Sequence, residues 1–265
     1  MPIVTISSAS YEQRKQIAEA LAERLGCRCV ARSVLLEASE EFNIPEVKLI
    51  SALRDAPSIL DKITYGRERY LAYIRLKILE AVREGDAIYH GLAGHFFFQG
   101  VPHVLKVRYI ANAERRIQEV MQREGVSEAE ARARIADDDE ARRKWAKHIH
   151  GTDPFHARLY DLVIHGDTIP PEGAVELIAF VAQRPCFQTT EETTAMLEEL
   201  VRCARIEALL VKDYPRAKCR MVDGVAHITI HESPSQAKRV EETLRSDPEL
   251  SRSIDSFVVH AEPVN

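Results

Sequence analysis

The chain has 265 residues and a mass of 30.0 kDa, with 45% hydrophobic and 29% charged residues, a formal net charge of −5 and a pI near 6.1. That balance supports a buried core, excludes a disordered chain, and gives no bulk attraction to a polyanion, so no nucleic-acid partner is expected. No apolar stretch reaches the roughly 20 residues a membrane helix needs, and "MPIVTIS" lacks the basic and apolar parts of a signal peptide, so a cytoplasmic protein with no membrane span is expected.

In chain order, "IVTIS" reads as a β-branched strand, Glu12 to Leu25 as an amphipathic helix closed by Gly26, and "CRCVA" as a second strand. A long helical region runs to Arg83, followed by strands at "AIYHGLAG" and "HVLKVRYI", helices from Ala113, a strand at "YDLVIHG" and a helix from Pro171 to Gln183. Strands alternating with helices imply a parallel sheet covered on both faces, with ligands at the carboxyl ends of its strands. The loops there are Ser7 to Tyr11, Gly91 to His95, Ile110 to Ala113 and His165 to Thr168. After "QRPCFQTTEETT" the rhythm changes to helix (Glu191 to Lys212), strand, an Asp223-Gly224 turn, strand, helix (Ser235 to Arg245) and strand. Asp-Gly between two β-rich runs signals a hairpin. The expected division is 1–185 for the first domain and 190–265 for a small α+β module.

The five cysteines, Cys27, Cys29, Cys186, Cys203 and Cys219, are odd in number and scattered, so they read as free thiols rather than a disulfide framework or a zinc site. Cys27-Arg28-Cys29 within a strand would turn both sulfurs to one face, read here as a core face. No spacing among the histidines forces a metal site.

With the elements in place, residues 1–185 resemble the cytidylate-kinase-like family of P-loop nucleoside monophosphate kinases. The likeness is carried by the opening strand and the helix ending "ALAERLG", by "GLAG", by "VRYIANAERRIQEVMQREGVSEAEARARI" with "DDDEARRKW", and by "LYDLVIHGDTIPPEGAVELI". It implies an α/β fold, a P-loop kinase-like three-layer parallel sheet with helices on both faces. It also implies site residues. Counting back from Leu25-Gly26, the phosphate loop falls on Ser8 to Lys15, so Ser8, Ser10 and Arg14 would meet the nucleotide and Lys15 would supply the cation. Arg142 of the D-x-x-R at Asp139, with Arg143, would stabilise a transferring phosphoryl group. Arg115 would lie on the helix approaching the nucleotide, and Arg67 and Arg69, with Arg75 at helical spacing, would hold an acceptor monophosphate. Glu114, Glu119, Glu128 and Glu130 interleave with arginines on these helices in a pattern that also describes a solvated surface laced with ion pairs.

The loop departs from the family pattern. Ala9 and Arg14 stand where a GxxxxGK motif has glycines, Gln16 replaces the Ser or Thr that would hold Mg²⁺, and Leu92 and Ala93 replace a pocket arginine. Asp86 precedes its strand and so lies at the wrong end of the sheet. Ser10-Tyr11-Glu12-Gln13 reads as a capping box in which Ser10 and Gln13 satisfy each other's backbone N–H groups. Two functions follow. One is a non-catalytic or weakly catalytic regulatory, ligand-sensing or assembly protein with no firm cofactor, taking a nucleotide or another small anion. The other is an active CMP-type kinase using ATP with Mg²⁺. The tail, through "CRMVDGVAHITI" and "SIDSFVV", resembles a BON-type module, which implies a protein partner or self-association.

Overall fold

The computed structural model describes residues 3–44, 66–91 and 94–262. The chain opens with β1 (Ile3–Ser8), α1 (Tyr11–Leu25), β2 (Arg28–Val30) and α2 (Arg32–Glu41). It continues through α3 (Gly66–Arg83), β3 (Ala87–His90), the short α4 (Gly94–Phe97) and β4 (Val104–Ile110). Next come α5 (Ala113–Glu124), α6 (Glu128–His150), β5 (Leu162–His165) and α7 (Pro171–Ala182). The tail consists of α8 (Glu191–Leu210), β6 (Lys218–Val222), β7 (Val225–Ile230), α9 (Ser235–Arg245), α10 (Leu250–Ser253) and β8 (Ser256–Ala261). Among the described residues no helix is long and apolar enough to cross a membrane.

The first five strands form one sheet in the order β2-β3-β1-β4-β5, with every pairing parallel. A central parallel strand is buried on both faces, which is why β1 reads as a continuous run, Ile3, Val4, Thr5 and Ile6, rather than as an alternation. On one face α1 and α7 pack through Ile17, Leu21, Ile178 and Ala182. The other face is covered by α2, α3 and α4 with Trp145 of α6. The connection from β1 runs towards β2 at one edge, and that from β4 runs towards β5 at the other. The chain therefore opens a crevice at the carboxyl ends of β1 and β4, where such folds place ligands.

β6, β7 and β8 form a second sheet, in which β6 pairs antiparallel and β8 parallel with β7. Asp223 and Gly224 both have positive φ, 51° and 77°, the left-handed pair that a two-residue hairpin turn requires. One face of this sheet packs on α8 and α9 through Ile228, Ile230, Val240 and Leu244.

The tail is tied to the first sheet by α8. Leu197, Val201, Ala204 and Ala208 of that helix belong to the core built on α3, whereas Ile206 and Leu210 belong to the tail's core. Ion pairs border the shared seam: Arg75 with Glu207, Arg205 with Glu80 at 3.4 Å, and Arg83 with Glu249 at 3.2 Å. Arg75 is thus committed to the tail, contrary to the expectation that it helps hold a monophosphate. Cys29 is exposed and Cys27 precedes β2, so the two sulfurs do not share the expected core face.

Candidate functional site

Only Ala9 and Ser10 separate the end of β1 from the start of α1. Ser10 is the N-cap: its hydroxyl accepts from the Gln13 backbone N–H at 3.1 Å, and its carbonyl accepts from the Arg14 N–H at 3.3 Å. The reciprocal half of the expected capping box does not form. The Ser10 N–H donates to Ser8 Oγ at 3.3 Å, and both polar atoms of the Gln13 side chain are buried without a hydrogen-bond partner. The Ser10 hydroxyl donates instead to the Glu119 carboxylate, 2.7 and 2.8 Å from its two oxygens, which fastens the turn to α5.

Arg14 is 7% exposed, and its guanidinium donates to the Ser8 carbonyl at 2.9 Å and lies 5.6 Å from the Tyr11 ring centroid. The turn is therefore closed over an arginine of its own helix. Burial, and then the like charge of Arg142, push the Arg14 pKa down to about 10. Lys15 is half exposed, 3.9 Å from Glu19 one turn along, and lines neither of the cavities described next. Gln16 is engaged by Glu172 of α7 at 3.0 Å.

Two cavities flank this turn. The larger, about 470 Å³, lies over the ends of β2 and β3, with Arg14, Tyr89 and His90 at its base and Val34, Leu35 and Ile135 among its walls. The smaller, about 170 Å³, lies by the ends of β1 and β4 and is lined by Ser7, Ser8, Arg108, Arg143, Phe155 and Tyr160. Ala9, Arg116 and Arg142 border both. Arg116 forms a two-pronged pair with Asp139, each bond 2.9 Å, and Arg142 lies 3.9 Å from the same carboxylate. Asp139 thus holds Arg116 of α5 and Arg142 of its own helix at the partition.

In the smaller cavity Phe155 lies between two guanidiniums, Arg108 at 4.5 Å and Arg143 at 4.7 Å from its centroid. Arg108 Nη1 is buried without a hydrogen-bond partner. The Tyr160 hydroxyl donates to the Pro154 carbonyl at 2.7 Å, and its ring packs on that of His95. In the larger cavity His90 is 6% exposed and its Nδ1 has no hydrogen-bond partner; burial, then Arg14 and Lys15, hold its pKa down at about 4. His90 is therefore neutral at pH 7.

Of the residues expected to act, the fold brings Ser8, Arg14, Arg142 and Arg143 to the crevice, whereas Ser10 is buried beneath it and lines neither cavity. Arg115 is exposed, and its N–H is capped by Asn112 at 2.9 Å. Arg69 lies over Tyr70, 5.4 Å from the ring centroid, and lines neither cavity. The side chain of Arg67, and Leu92 and Ala93, lie outside the described residues. Sequence reasoning did not single out Arg108, Glu119, Phe155 or Tyr160 for the site, nor His90. Arg108 carried the one usable signal, a cation inside an apolar strand.

A five-stranded parallel sheet with an arginine-bordered crevice at the carboxyl ends of its central strands defines an α/β protein. Residues 3–168 match the family described as "Cytidylate kinase-like family", and the chain belongs to that family. It is 32% identical over 171 residues to a cytidylate kinase of Methanopyrus kandleri, spanning 61% of this chain and 83% of that protein. It is 26% identical over 183 residues to a cytidylate kinase of Ignicoccus hospitalis, spanning 67% of this chain and 97% of that one. In structure it resembles an uncharacterized protein from Eubacterium ventriosum, with a TM-score of 0.51 and 16% identity over 69% of this chain and 100% of that one. The fold is kinase-like. The match ends at residue 168, so α7 and the whole of the tail lie beyond it.

Proposed function

We propose that this chain is a cytidylate-kinase-like protein with a degraded phosphate loop, which binds a small anion in the arginine-bordered crevice with no, or weak, phosphoryl transfer. The observation that carries this reading is Arg14 seated on the Ser8 carbonyl. Phosphoryl transfer depends almost wholly on positioning and charge neutralisation: backbone N–H groups wrap the phosphates and a hydroxyl holds Mg²⁺. Here a connector of Ala9 and Ser10 offers no cradle, the Ser10 N–H is already used, and Gln16 is turned to Glu172. Arg14, Arg116 and Arg142 remain to meet an anion, with Arg143 beside them; Lys15 has no such setting.

A second reading, an active CMP-type kinase using ATP with Mg²⁺, is favoured by the convergence of Arg14, Arg116 and Arg142 and by the names of the relatives. For the tail, 190–265, we propose a BON-like module that binds a protein partner or a second copy. Its support is the edge strand β6 and the outer sheet face carrying Arg220, His227 and Val258, which α8 and α9 leave uncovered.

Titration of ATP, with and without Mg²⁺, followed by thermal unfolding tests the first reading. A ligand at 100 times its dissociation constant stabilises the fold by about 2.7 kcal/mol. No stabilisation by ATP with Mg²⁺ at millimolar concentration is expected, and that result would sink the second reading; CDP formed from ATP and CMP and lost on Lys15→Ala would overturn the first.

A further inference from the structure

The sequence scatters its five cysteines, but the fold brings two of them together. Cys203, buried on α8, and Cys219, half-buried on β6, are sixteen residues apart in the chain, yet their sulfurs lie 2.9 Å apart, the Cys203 thiol donating to the other. That separation is about 1 Å longer than a sulfur–sulfur bond, so a small shift of the two sulfurs would join them. The backbone around the pair is anchored independently. Glu207, one helical turn beyond Cys203, accepts the Cys219 N–H through Oε1 at 3.0 Å and pairs with Arg75 of α3 through Oε2. Cys219 also packs on the tail's core. Strand and helix are therefore held in register, and the approach of the sulfurs follows from that register. Cys29 and Cys186, by contrast, are exposed.

We propose that Cys203 and Cys219 are a reversible disulfide site, oxidised by exchange with a low-molecular-weight disulfide of the glutathione type, and that the bond fastens β6 to α8. The exchange starts at Cys219, the less buried of the two. Its sulfur gives up a proton to solvent and attacks the small disulfide. That S–S bond breaks, a mixed disulfide forms on Cys219, and the first small thiolate leaves and takes up a proton. The Cys203 sulfur, losing its own proton, then attacks the Cys219 sulfur and expels the second small thiol. The protein loses two hydrogens and two electrons, and the small disulfide is reduced to two thiols. The hydrogen bond with Cys203, and then burial, hold the Cys219 thiol above the ordinary thiol range, so the exchange is slow and the site is read at equilibrium. Because α8 serves both cores, the bond stiffens the attachment of the tail and leaves the crevice untouched.

The full chain, brought to equilibrium in mixtures of oxidised and reduced glutathione, then quenched in acid, alkylated in denaturant and digested for mass spectrometry, tests this. A peptide that cross-links Cys203 to Cys219, lighter by two hydrogens than its reduced parts, is expected, while Cys29 and Cys186 carry glutathione or the alkyl group. Closing a loop of this length constrains the unfolded chain enough to raise the unfolding midpoint by about 5–10 °C over the reduced protein. A triple variant, Cys27→Ser with Cys29→Ser and Cys186→Ser, is expected to keep both the cross-link and the rise, whereas Cys203→Ala and Cys219→Ala each lose both. If either single variant fails to fold, the triple variant carries the test alone. Alkylation of both Cys203 and Cys219 after every mixture, a lasting glutathione adduct at Cys219, a cross-link that the triple variant abolishes, or one that leaves the midpoint unchanged would each overturn the proposal.

Discussion

Replacing Arg14 by Met separates a ligand-holding arginine from a structural one. The residue is 7% exposed, and among the described residues its guanidinium makes one hydrogen bond, to the Ser8 carbonyl at 2.9 Å. In most buried sites, deleting one partner of a charged interaction costs about 3–5 kcal/mol, because the other charge is stranded. Among the described residues no carboxylate is stranded, since the acceptor is a carbonyl and the charge that weighs most on Arg14 is the like charge of Arg142. A guanidinium brought from its ordinary value down to about 10 carries a penalty of roughly 3 kcal/mol in its charged form. Loss of the bond to Ser8 removes about 1.5–3 kcal/mol, and the methionine stem retains most of the packing. The two effects nearly cancel. Arg14→Met is therefore expected to unfold within about 1 kcal/mol of the wild type in a urea titration, with an unchanged m-value. Loss of more than about 3 kcal/mol would refute the argument and make Arg14 a structural plug.

Two further outcomes follow from the packing. Val201, 1% exposed in the face of α8 that joins the α3 core, is expected to cost about 2 kcal/mol when cut to Ala, two methyl groups plus a cavity. Because α8 also serves the tail's core, that variant should lower the unfolding midpoint of both sheets in calorimetry; a transition confined to one sheet would contradict the shared seam. The buried histidines set the acid response. Burial holds His95 at about 3, with help from His150 and Arg108, and holds His90 at about 4, both below the ordinary 6.5. The unfolded chain therefore binds protons that the folded chain refuses, so stability is full above about pH 6.5 and falls as pH drops towards 4. Each histidine adds up to about 1.4 kcal/mol per pH unit to that slope. His95→Gln should make the profile shallower between pH 6 and 4, and an unaltered profile would count against this origin.

Much of the framework was legible in the sequence because local signals agreed with the fold. β-Branched runs marked β1 and β4, Gly26 with φ of 66° closed α1, and Asp223-Gly224 turned the hairpin. Position alone also put the long side chain of Arg14 at the turn after β1, where it lies against the Ser8 carbonyl. What escaped required contacts distant in the chain. Ser10 spends its hydroxyl on Glu119, a residue whose helical spacing among arginines reads as solvated surface. Gln13 fits the capping pattern but is buried without its reciprocal bond. Arg75 has the spacing of a phosphate ligand, yet its outcome was decided by Glu207 on α8. That helix gave no directional signal either. A helix apolar on two sides records that it is buried, without recording which core takes each side.

The most direct test of the central claim is phosphoryl transfer itself. The full chain, incubated with ATP, Mg²⁺ and CMP and followed by chromatographic separation of nucleotides, is expected to form CDP at no more than a trace above an enzyme-free control. CDP formation at a rate typical of kinases, on the order of 1–100 per second, and lost on Lys15→Ala, would contradict the account and show that the closed turn opens to cradle a nucleotide.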